Sequence, residues 1–463
     1  MRIYNTLSRT TEELTAPNKK LNMFVCGPTV YDHIHAGNAR TFVVFDVVAK
    51  YLRHRGFDVD YVQNITDVDD KIIKRAQEHD VDPLAFARDY EERFKEDMKA
   101  ISVDSPRYER ATDYIPQIIQ QVKTLIDKGN AYFIEGDGWY FDLKTFPEYG
   151  KLSGRTAQMA DDGVSRIDEN SNKRNVGDFC LWKLSKPGEP VWETELGAGR
   201  PGWHIEDTAI TEKKFGSQYD IHGGGRDLMF PHHEAEITQM ESISGKKPFV
   251  RYWIHAGFLE NKSEKMSKSL GNFTKLNELL GKYSKEAIRF FFLSAHYHAP
   301  LDFSEQALDA AEAATQRIRE FRNKSAAVIT KTEGGELGAF ATKTYELSIE
   351  ALDNDFNTPI ALSVLFEFLR AANIAFTNQT VGKKDISGII KILNLFGHQA
   401  LGIVPIDTNY GNLPDKIQNL IDQREEARQK KDFASSDQLR EQINRAGFSI
   451  DDTPYGPLIK RTK

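Results

Sequence analysis

The sequence predicts an α/β protein in which a parallel-sheet domain with an insertion is followed by a helical bundle and a small C-terminal domain. Near the start, an apolar strand, an amphipathic helix and a second apolar strand follow one another, and this βαβ order pairs its strands in parallel. After about residue 282 the apolar spacing becomes almost wholly helical, which predicts a bundle. A turn-rich linker at 398–412 then precedes a final short segment.

The first βαβ unit places polar residues where a ligand would bind. A strand is predicted at 21–25, a helix from about 37 to 55 and a second strand at 59–65. Cys26 and residues 64–66 lie at the ends of the two strands. Because ligands of parallel sheets bind at the carboxyl ends of the strands, the sequence predicts a Rossmann-type domain with its site at these residues.

The rest of the first domain alternates helical and stranded patterns. Gly136 and Gly138 lie between two aromatic segments, which predicts a β-hairpin. From there to about residue 200 the sequence is rich in glycine and short polar residues, so we interpret it as part of an insertion between two halves of the sheet. Helices are predicted over 69–79, 83–100 and 112–128. The predicted domains are 1–306, with an insertion at about 118–200 and a connecting segment at about 255–306, then a helical bundle at 307–398 and a C-terminal domain at 399–463.

Composition indicates an ordinary soluble protein. Of the 463 residues, 40% are hydrophobic and 28% are charged, and the net charge is -7. Since the sequence shows neither an apolar run of bilayer-spanning length nor the apolar segment of a signal peptide near its start, we expect a cytoplasmic protein without a membrane partner. Its two cysteines, Cys26 and Cys180, can form at most one disulfide. In a reducing compartment the chemistry expected of Cys26 is that of a thiolate.

Two short motifs predict a nucleotide site. HAGN at 35–38 lies between a strand end and a helix start, where backbone N–H groups and the helix dipole favour a phosphate and Gly37 allows close approach. KMSKS at 265–269 lies in a polar stretch whose lysines and hydroxyl groups could close over a polyphosphate. Each alone also fits a bland alternative, a capped helix with a surface histidine or a solvated charged loop. Their order around a parallel sheet favours the nucleotide site.

HAGN followed by an intact KMSKS resembles the signature pair of the class I aminoacyl-tRNA synthetases. Over essentially the whole chain, further motifs resemble the cysteinyl-tRNA synthetases; they are VCGPTVYDHIHAGNARTFVVFDVV, NITDVDDKIIKRA, GRPGWHIE, DIHGGGRDLMFPHHEAEI, KMSKSLGNF, ALDNDFNTP and KKDFASSDQLRE. The resemblance implies a catalytic first domain that forms cysteinyl adenylate from L-cysteine and ATP, with Mg²⁺ accompanying the ATP, and then transfers cysteine to the 3′-terminal ribose of tRNA(Cys). It also implies a tRNA-binding helical bundle, an anticodon-recognition C-terminal domain and a monomer.

The resemblance assigns individual residues to the two substrates. The implied catalytic residues are His35 and Asn38, which donate to the phosphates, and Lys265 and Lys268, which stabilise the departing pyrophosphate. Asn38 stands where the family motif has a second histidine, and both side chains can donate a hydrogen bond. The implied ATP-binding residues are Gly37, His222, Gly223, Gly224, Gly225 and Lys268, and the implied amino-acid-binding residues are Gly27, Thr66, Trp203 and Asp227.

A metal site is predicted around Cys26. His232 and Glu236 are four residues apart, so on a helix beginning at Pro231 they face the same side and can bind one metal ion. Cys26 supplies a soft third ligand. In the resembled family a zinc ion binds the substrate sulfur as thiolate, which distinguishes cysteine from serine, and its fourth protein ligand is a second cysteine. Asp207 stands at that position here. A zinc ion with Asp207 among its ligands, a weaker site, another metal and no metal all stay open.

Two other functions stay open from the sequence. A related cysteine ligase, such as the cysteine:glucosaminyl-inositol ligase of mycothiol synthesis, would form the same adenylate and pass cysteine to an amine. An RNA-binding paralogue without activity is the second alternative, to which Asp207 is the only pointer in the sequence. The complete helical and C-terminal regions disfavour the first alternative, and intact HAGN and KMSKS motifs disfavour the second.

Overall fold

The computed structural model describes residues 1–155, 170–261, 264–265, 273–326, 335–405, 414–453 and 456–461. The strands, numbered in chain order, are β1 (Arg2–Asn5), β2 (Thr10–Glu13), β3 (Lys20–Val25), β4 (Asp58–Ile65), β5 (Arg107–Arg110), β6 (Ala131–Ile134), β7 (Gly138–Phe141), β8 (Phe179–Leu184), β9 (Gly199–Pro201), β10 (Tyr219–Gly225), β11 (Val250–Ala256), β12 (Leu259–Asn261), β13 (Glu264–Lys265), β14 (Leu301–Asp302), β15 (Phe448–Thr453) and β16 (Gly456–Arg461). The helices are α1 (Ala36–His54), α2 (Asp70–Glu78), α3 (Pro83–Ala100), α4 (Ile115–Asp127), α5 (Ile205–Phe215), α6 (Glu234–Ser244), α7 (Leu276–Leu280), α8 (Lys285–Leu293), α9 (Glu305–Ala326), α10 (Gly338–Asp353), α11 (Thr358–Asn378), α12 (Lys383–Asn394), α13 (Asp415–Gln429) and α14 (Phe433–Arg445).

Five parallel strands form the central sheet, in the order β11, β10, β3, β4, β5. The chain order reverses between β3 and β10, because β4 and β5 extend the sheet to one side and β11 extends it to the other. Val25, the last residue of β3, is level with Gly223 of β10 and Gln63 of β4. Ligands of such sheets bind in the crevice at this reversal, and Cys26 is the first residue beyond it. The predicted parallel-sheet α/β fold is confirmed.

Helix α1 begins at a histidine cap and packs closely on the sheet. The ring of His35 accepts a hydrogen bond from the backbone N–H of Asn38 at 3.2 Å, which satisfies one of the unpaired donors of the first turn. Phe45 of α1 lies over Gly223 of β10, where an added Cβ would lie only 2.3 Å from the Phe45 ring. Glycine at this position therefore lets α1 approach the sheet, and HAGN comes to lie beside the strand ends.

The insertion forms an antiparallel sheet in the order β6, β7, β8, β9. The predicted hairpin is the β6–β7 pair, and Gly136 in its turn has a φ of 74°, a left-handed conformation that favours glycine. Phe141 and Trp182 of this sheet belong to the same buried apolar cluster as Phe24 of β3. The insertion therefore packs on the central parallel sheet and shares its core.

The chain divides into two compact units. The first is Met1–Glu305 with Asp353–Phe356, and its division from the second lies beside the domain boundary predicted at 306. The second is Gln306–Leu352 with Asn357–Lys463, and contains the bundle helices and the hairpin of β15 and β16. Its C-terminal part has an apolar cluster of its own, made of Ile417, Ile421, Ile443, Ile450 and Ile459.

Helix α11 corrects one expectation from the sequence. Within the described ranges it is the one helix that is long and apolar enough, by length and composition, to cross a membrane, so the expectation that no apolar run reaches that length is wrong. Its side chains Ala361, Leu365 and Phe368 are buried in the protein. The core helix of a bundle has the same apolar composition, which makes this property weak support for a membrane span.

Candidate active site

A pocket of about 600 Å³ opens at the carboxyl ends of the parallel strands. Four strands supply a lining residue at or just beyond their last position: Cys26 after β3, Thr66 after β4, Gly225 at the end of β10 and Ala256 at the end of β11. Gly37, in the first turn of α1, lines an adjoining wall. The pocket therefore lies at the strand ends where the sequence predicts a ligand.

The HAGN segment lines one end of this pocket. His35, Gly37 and Asn38 all contribute to the wall. The backbone N–H of Ala36 donates to the carbonyl of Thr274 at 2.8 Å, which joins the start of α1 to the segment that follows KMSKS. A helix N-terminus carries the positive end of the helix dipole, so this end of the pocket suits a phosphate.

The KMSKS motif lies largely outside the described residues. Lys265 belongs to β13, which pairs antiparallel with Glu260 of β12. The side chain of Lys265 lies outside what the structure describes, and so does the whole of Lys268. Leu259, the first residue of β12, lines the pocket, so the chain passes from the pocket wall directly into the strand pair that includes Lys265.

Cys26, Asp207 and His232 line the floor of the pocket. Together with Glu236 they form a group of four buried side chains whose ligand atoms all lie within 4.8 Å of one another. His232 Nε2 is 3.0 Å from Asp207 Oδ2 and 3.1 Å from Glu236 Oε1. Cys26 Sγ is 3.8 Å from Glu236 Oε1. Cys26 follows β3, Asp207 belongs to α5, His232 precedes α6 and Glu236 lies in the first turn of α6. The fold therefore brings together the four ligands expected from the sequence.

Three acidic side chains, Cys26, Asp207 and Glu236, are buried close together, and a bound cation would stabilise their charged forms. Burial, reinforced by Asp207 and Glu236, raises the pKa of the Cys26 thiol well above its ordinary value. Burial, and then the charge of Asp207, likewise raises the pKa of Glu236. Asp207 Oδ1 is buried without a hydrogen-bond partner among the described residues. Thiolate, imidazole and carboxylate are the donors that proteins offer to zinc, so these four residues fit a zinc ion.

Two neighbours hold the ring of His232 in place. Its Nδ1 lies 2.9 Å from Nδ1 of His204, which leaves His232 Nε2 facing the two carboxylates. Burial, and then the neighbouring His232, lowers the pKa of His204 well below its ordinary value. Trp203, which lines the pocket, stacks on His232 with ring centroids 4.6 Å apart. Sequence reasoning missed His204, although its place after Trp203 in the GWHIE motif was a usable signal.

A second group of metal-type donors lies deeper, within the sheet. Cys26 and Glu236 also lie within 4.8 Å of donor atoms of His222 and His233. His222 Nδ1 is 2.5 Å from the Tyr219 hydroxyl, and the Nδ1 atom of His233 is engaged by another buried histidine. The described residues that line the pocket include Asp207 and His232 but neither His222 nor His233. The group with Asp207 is therefore the one that a substrate can reach.

Most of the other predicted substrate residues line the pocket, namely Gly27, Thr66, Trp203, Gly225 and Asp227. His222, Gly223 and Gly224 are instead buried in β10 behind the wall. An added Cβ at Gly224 would lie 2.8 Å from the ring of His233. Gly223 packs closely against Phe45 of α1, and Gly224 packs against His233 in the turn before α6. This packing explains why both positions are glycine, and the expected role of the two glycines toward adenosine stays a prediction.

Sequence reasoning missed two buried charged residues beside the pocket. Arg40 donates from Nη1 to the carbonyls of Gly257 and Phe258, at 3.0 and 2.7 Å, and from Nη2 to two carbonyls of the loop after α8. Both Gly257 and Phe258 line the pocket. Glu206 accepts a hydrogen bond from the hydroxyl of Thr66 at 2.8 Å. The two buried residues therefore fix parts of the wall that the substrates would touch.

Comparison with solved structures places this fold in a class. The Mycobacterium tuberculosis methionyl-tRNA synthetase in complex with methionyl-adenylate matches with a TM-score of 0.61 at 15% identity, covering 82% of this chain and 91% of that chain. The LeuRS of an Agrobacterium radiobacter ternary complex with tRNA matches with a TM-score of 0.62 at 11% identity, covering 84% and 85%. At these identities the likeness shows the fold alone. Residues 13–313 match the model of the tRNA synthetases class I (C) catalytic domain, and fold and site together define a class I aminoacyl-tRNA synthetase.

Further matches narrow this class to one family. Residues 349–404 match the DALR domain, and residues 411–455 match the Cysteinyl-tRNA ligase anticodon binding domain. The cysteine–tRNA ligase of Heliobacterium modesticaldum is 43% identical over 482 residues, which covers 100% of this chain and 99% of the relative. That of Geobacter metallireducens is 44% identical over 485 residues, covering 99% of each. The chain belongs to the cysteine–tRNA ligase family, the cysteinyl-tRNA synthetases, and is an aminoacyl-tRNA ligase; the resemblance found in its motifs is confirmed.

Proposed function

We propose that this enzyme activates L-cysteine with ATP and transfers it to the 3′-terminal ribose of tRNA(Cys). The observation that supports this most directly is the convergence of Cys26, Asp207, His232 and Glu236 at the floor of a pocket whose other end is the N-terminus of α1. The floor suits a thiol-bearing side chain, and the helix end suits phosphates. One pocket therefore offers places for both substrates of an adenylation.

The floor residues would select cysteine by holding a zinc ion. When bound, the zinc supplies a Lewis acid with an affinity for sulfur that hydroxyl groups do not match. Asp207 and Glu236 balance its charge, and His204 fixes the ring of His232 through their 2.9 Å contact. Because serine offers a harder and less acidic group, this donor set discriminates against it without a separate editing step.

The activation step needs no nucleophile from the protein. A carboxylate oxygen of cysteine attacks the α-phosphorus of ATP, the bond to the bridging oxygen breaks and pyrophosphate leaves. His35, Asn38 and the dipole of α1 bind the phosphates, while Lys265 and Lys268 stabilise the charge that develops on pyrophosphate. Mg²⁺ arrives with ATP as part of that substrate. A ribose hydroxyl of the tRNA then attacks the carbonyl carbon of the adenylate, and AMP leaves.

The remaining wall residues would position the two substrates. Asp227 and Trp203 both line the pocket. Asp227 would accept from the ammonium group of cysteine or from the ribose of ATP, and Trp203 would supply an apolar wall. Thr66 is held by its hydrogen bond to Glu206, and Gly27 leaves room for the amino acid. This positioning supplies much of the acceleration expected for a reaction between two bound substrates.

The second unit would bind tRNA. Its C-terminal part, with its own isoleucine core, has the sequence pattern of an anticodon-binding domain, and we assign anticodon recognition to it and tRNA contacts to the helical bundle. A ligase that passes cysteine to a small amine does not need a tRNA-binding unit. An inactive RNA-binding paralogue does not need the donor set at the pocket floor. We propose a monomeric enzyme of the cytoplasm.

The decisive experiment is amino-acid-dependent exchange of pyrophosphate into ATP, with cysteine compared with serine, on protein whose bound metal is quantified in the same preparation. We expect exchange with cysteine alone and close to one zinc per chain. Exchange by protein without zinc would support the proposed activation of cysteine but overturn the proposal that zinc selects cysteine over serine. Absence of exchange, with tRNA binding retained, would overturn the proposed activity in favour of the RNA-binding paralogue.

A further inference from the structure

Three metal-type side chains lie together away from the active-site pocket. His296 and His298 belong to the loop that follows α8, and Asp355 belongs to the segment Asp353–Phe356. All three are part of the first compact unit. Their ligand atoms lie within 4.8 Å of one another, and none of the three is shared with the donor set at the pocket floor.

Hydrogen bonds fix the carboxylate of Asp355 in one orientation. Its Oδ1 accepts from the backbone N–H of Tyr4 and from the hydroxyl of Tyr297, each at 2.8 Å. Its own backbone N–H donates to the carbonyl of Arg2 at 2.9 Å. The other oxygen, Oδ2, is therefore directed toward the two histidines on either side of Tyr297.

The distances around Oδ2 are too long for hydrogen bonds. His296 Nε2 and His298 Nδ1 are each 3.7 Å from Asp355 Oδ2, beyond the usual hydrogen-bond range. The imidazole rings have centroids 4.3 Å apart and are inclined by 47°. Among the described residues, these two histidines are the basic side chains within 4.0 Å of the Asp355 carboxylate. Two imidazole nitrogens thus approach one carboxylate oxygen at equal distance without bonding to it.

This spacing is close to that of ligands around a transition-metal ion. Metal–ligand distances of about 2.0–2.2 Å place the donor atoms of a tetrahedral site about 3.4 Å apart. The observed 3.7 Å separations from Oδ2 would need to shrink by only a few tenths of an ångström. The side chain of His298 is 48% exposed and that of Asp355 is 12% exposed, so the histidine can rotate while the carboxylate stays fixed.

We propose that His296, His298 and Asp355 form a second cation site, which takes a divalent transition metal such as Zn²⁺, Co²⁺ or Ni²⁺. Two imidazole nitrogens and one carboxylate oxygen favour these ions over Mg²⁺ and Ca²⁺, which prefer oxygen ligands. Water completes the coordination, since His298 reaches the surface. Tyr297 and the backbone N–H of Tyr4 hold the coordinating carboxylate from behind, as the outer partners of metal ligands do.

A bound ion would stiffen the loop that supports one wall of the active site. The carbonyls of His296 and Ala299, in the same loop, accept from Arg40 at 3.3 and 2.8 Å. Arg40 in turn holds the Gly257 and Phe258 carbonyls at the pocket. The site is therefore structural in kind, and its existence does not depend on the reaction proposed for the pocket.

Metal titration of the full chain tests the site directly. Protein that already contains one zinc per chain is desalted and titrated with Zn²⁺ against a chromophoric chelator, and then with Co²⁺ to record its visible absorption. We expect one further equivalent in the wild type. His298→Gln should lose that equivalent, or weaken it at least about 10-fold, the size expected when a metal ligand or its close support is removed. Since His298 is half exposed, its replacement should leave the melting temperature of the protein without added metal unchanged.

His79→Gln is the matched control, because His79 is an exposed histidine at the end of α2. It should keep the further equivalent, and Asp355→Asn should lose it together with the cobalt absorption. Equal stoichiometry in the wild type and His298→Gln would overturn the proposal. Loss of the equivalent in His79→Gln as well would also overturn it, since that pattern indicates adventitious binding to surface histidines.

Discussion

The two ends of the active-site pocket are built in opposite ways. The phosphate end comes from the four consecutive residues 35–38 at the start of one helix, and His35 and Asn38 are partly exposed. The floor comes from Cys26, Asp207 and two residues around the start of α6, and all four are buried. One end is assembled by local structure, whereas the other exists only when distant segments pack together.

The two ends therefore depend on different physical effects. A helix dipole and cationic side chains would bind phosphates through charge that water partly screens. A buried donor set binds through the identity and position of each atom. Changes at the phosphate end should alter the rate of adenylate formation with little effect on cysteine affinity, and changes at the floor should do the reverse.

Lys268→Ala should give the largest effect and tests the first half of that comparison. Loss of a cation that stabilises developing charge costs about 10²–10³-fold in rate, or about 2.7–4 kcal/mol. We expect pyrophosphate exchange to fall by that amount while the dissociation constant for cysteine, measured by calorimetry, stays within twofold. Lys282→Ala is the control, since Lys282 is an exposed lysine paired with Glu305. An equal loss in both variants would contradict a specific role for Lys268.

Arg289→Met tests how much the buried anchor of α1, the helix of the phosphate end, contributes to stability. Arg289 donates to Asp46 of α1 at 2.8 Å, and both side chains are fully buried. Removing one partner of a buried pair costs about 3–5 kcal/mol, and we expect the lower value because Lys50 also pairs with Asp46. Chemical unfolding measures the loss, and the zinc content should not change. The double variant Asp46→Leu/Arg289→Met should recover most of the stability, and a further loss would contradict this account.

The same pair predicts a pH dependence of stability. Burial alone would raise the pKa of Asp46, but Arg289 and Lys50 outweigh it and the pKa is lowered. A carboxyl with a lowered folded pKa stabilises the protein above its unfolded pKa, and that contribution is lost as the pH falls through the folded value. The wild type should therefore lose this stability only in acid, whereas Arg289→Met should already lack most of it at neutral pH.

Cys26→Ser tests the other half of the comparison. Replacing a soft thiolate ligand by a hydroxyl should weaken cysteine binding at least about 10-fold, or about 1.4 kcal/mol, and reduce the zinc content. ATP affinity should stay unchanged, because the phosphate end is intact. Cys180→Ser is the matched control, since Cys180 is equally buried but lies in β8 of the insertion. Unaltered cysteine affinity in Cys26→Ser would contradict the model of thiolate binding to a metal.

The contrast between locally formed structure and packing of distant segments also explains which features could be predicted from the sequence. The start of α1 was predictable because cap, glycine and apolar spacing are adjacent in the chain, and the helix found, Ala36–His54, is within a residue of the predicted one. Arg40 was not predictable, since its acceptor Gly257 is 217 residues away. A helix was predicted to begin at Pro231, but α6 begins at Glu234, because the non-helical backbone of Phe230 interrupts the turn before it. His232 and Glu236 meet nonetheless, since both still face the floor.

Asp207→Cys should give the smallest effect and bears on the floor residue that stands where the resembled family has a cysteine. Both carboxylate and thiolate bind zinc, so the variant should hold zinc at least as tightly as the wild type and keep its preference for cysteine over serine. Asp207→Asn, which keeps the size and removes the charge, should instead lower zinc affinity by roughly 10-fold or more. Asp207 Oδ2 lies 3.0 Å from His232 Nε2. A ligand role for Asp207 requires zinc affinity to fall in Asp207→Asn and not to fall in Asp207→Cys. If neither Asp207→Cys nor Asp207→Asn changed the zinc content, Asp207 would lie outside the coordination shell. Its charge would then act on Cys26 and Glu236 only through space.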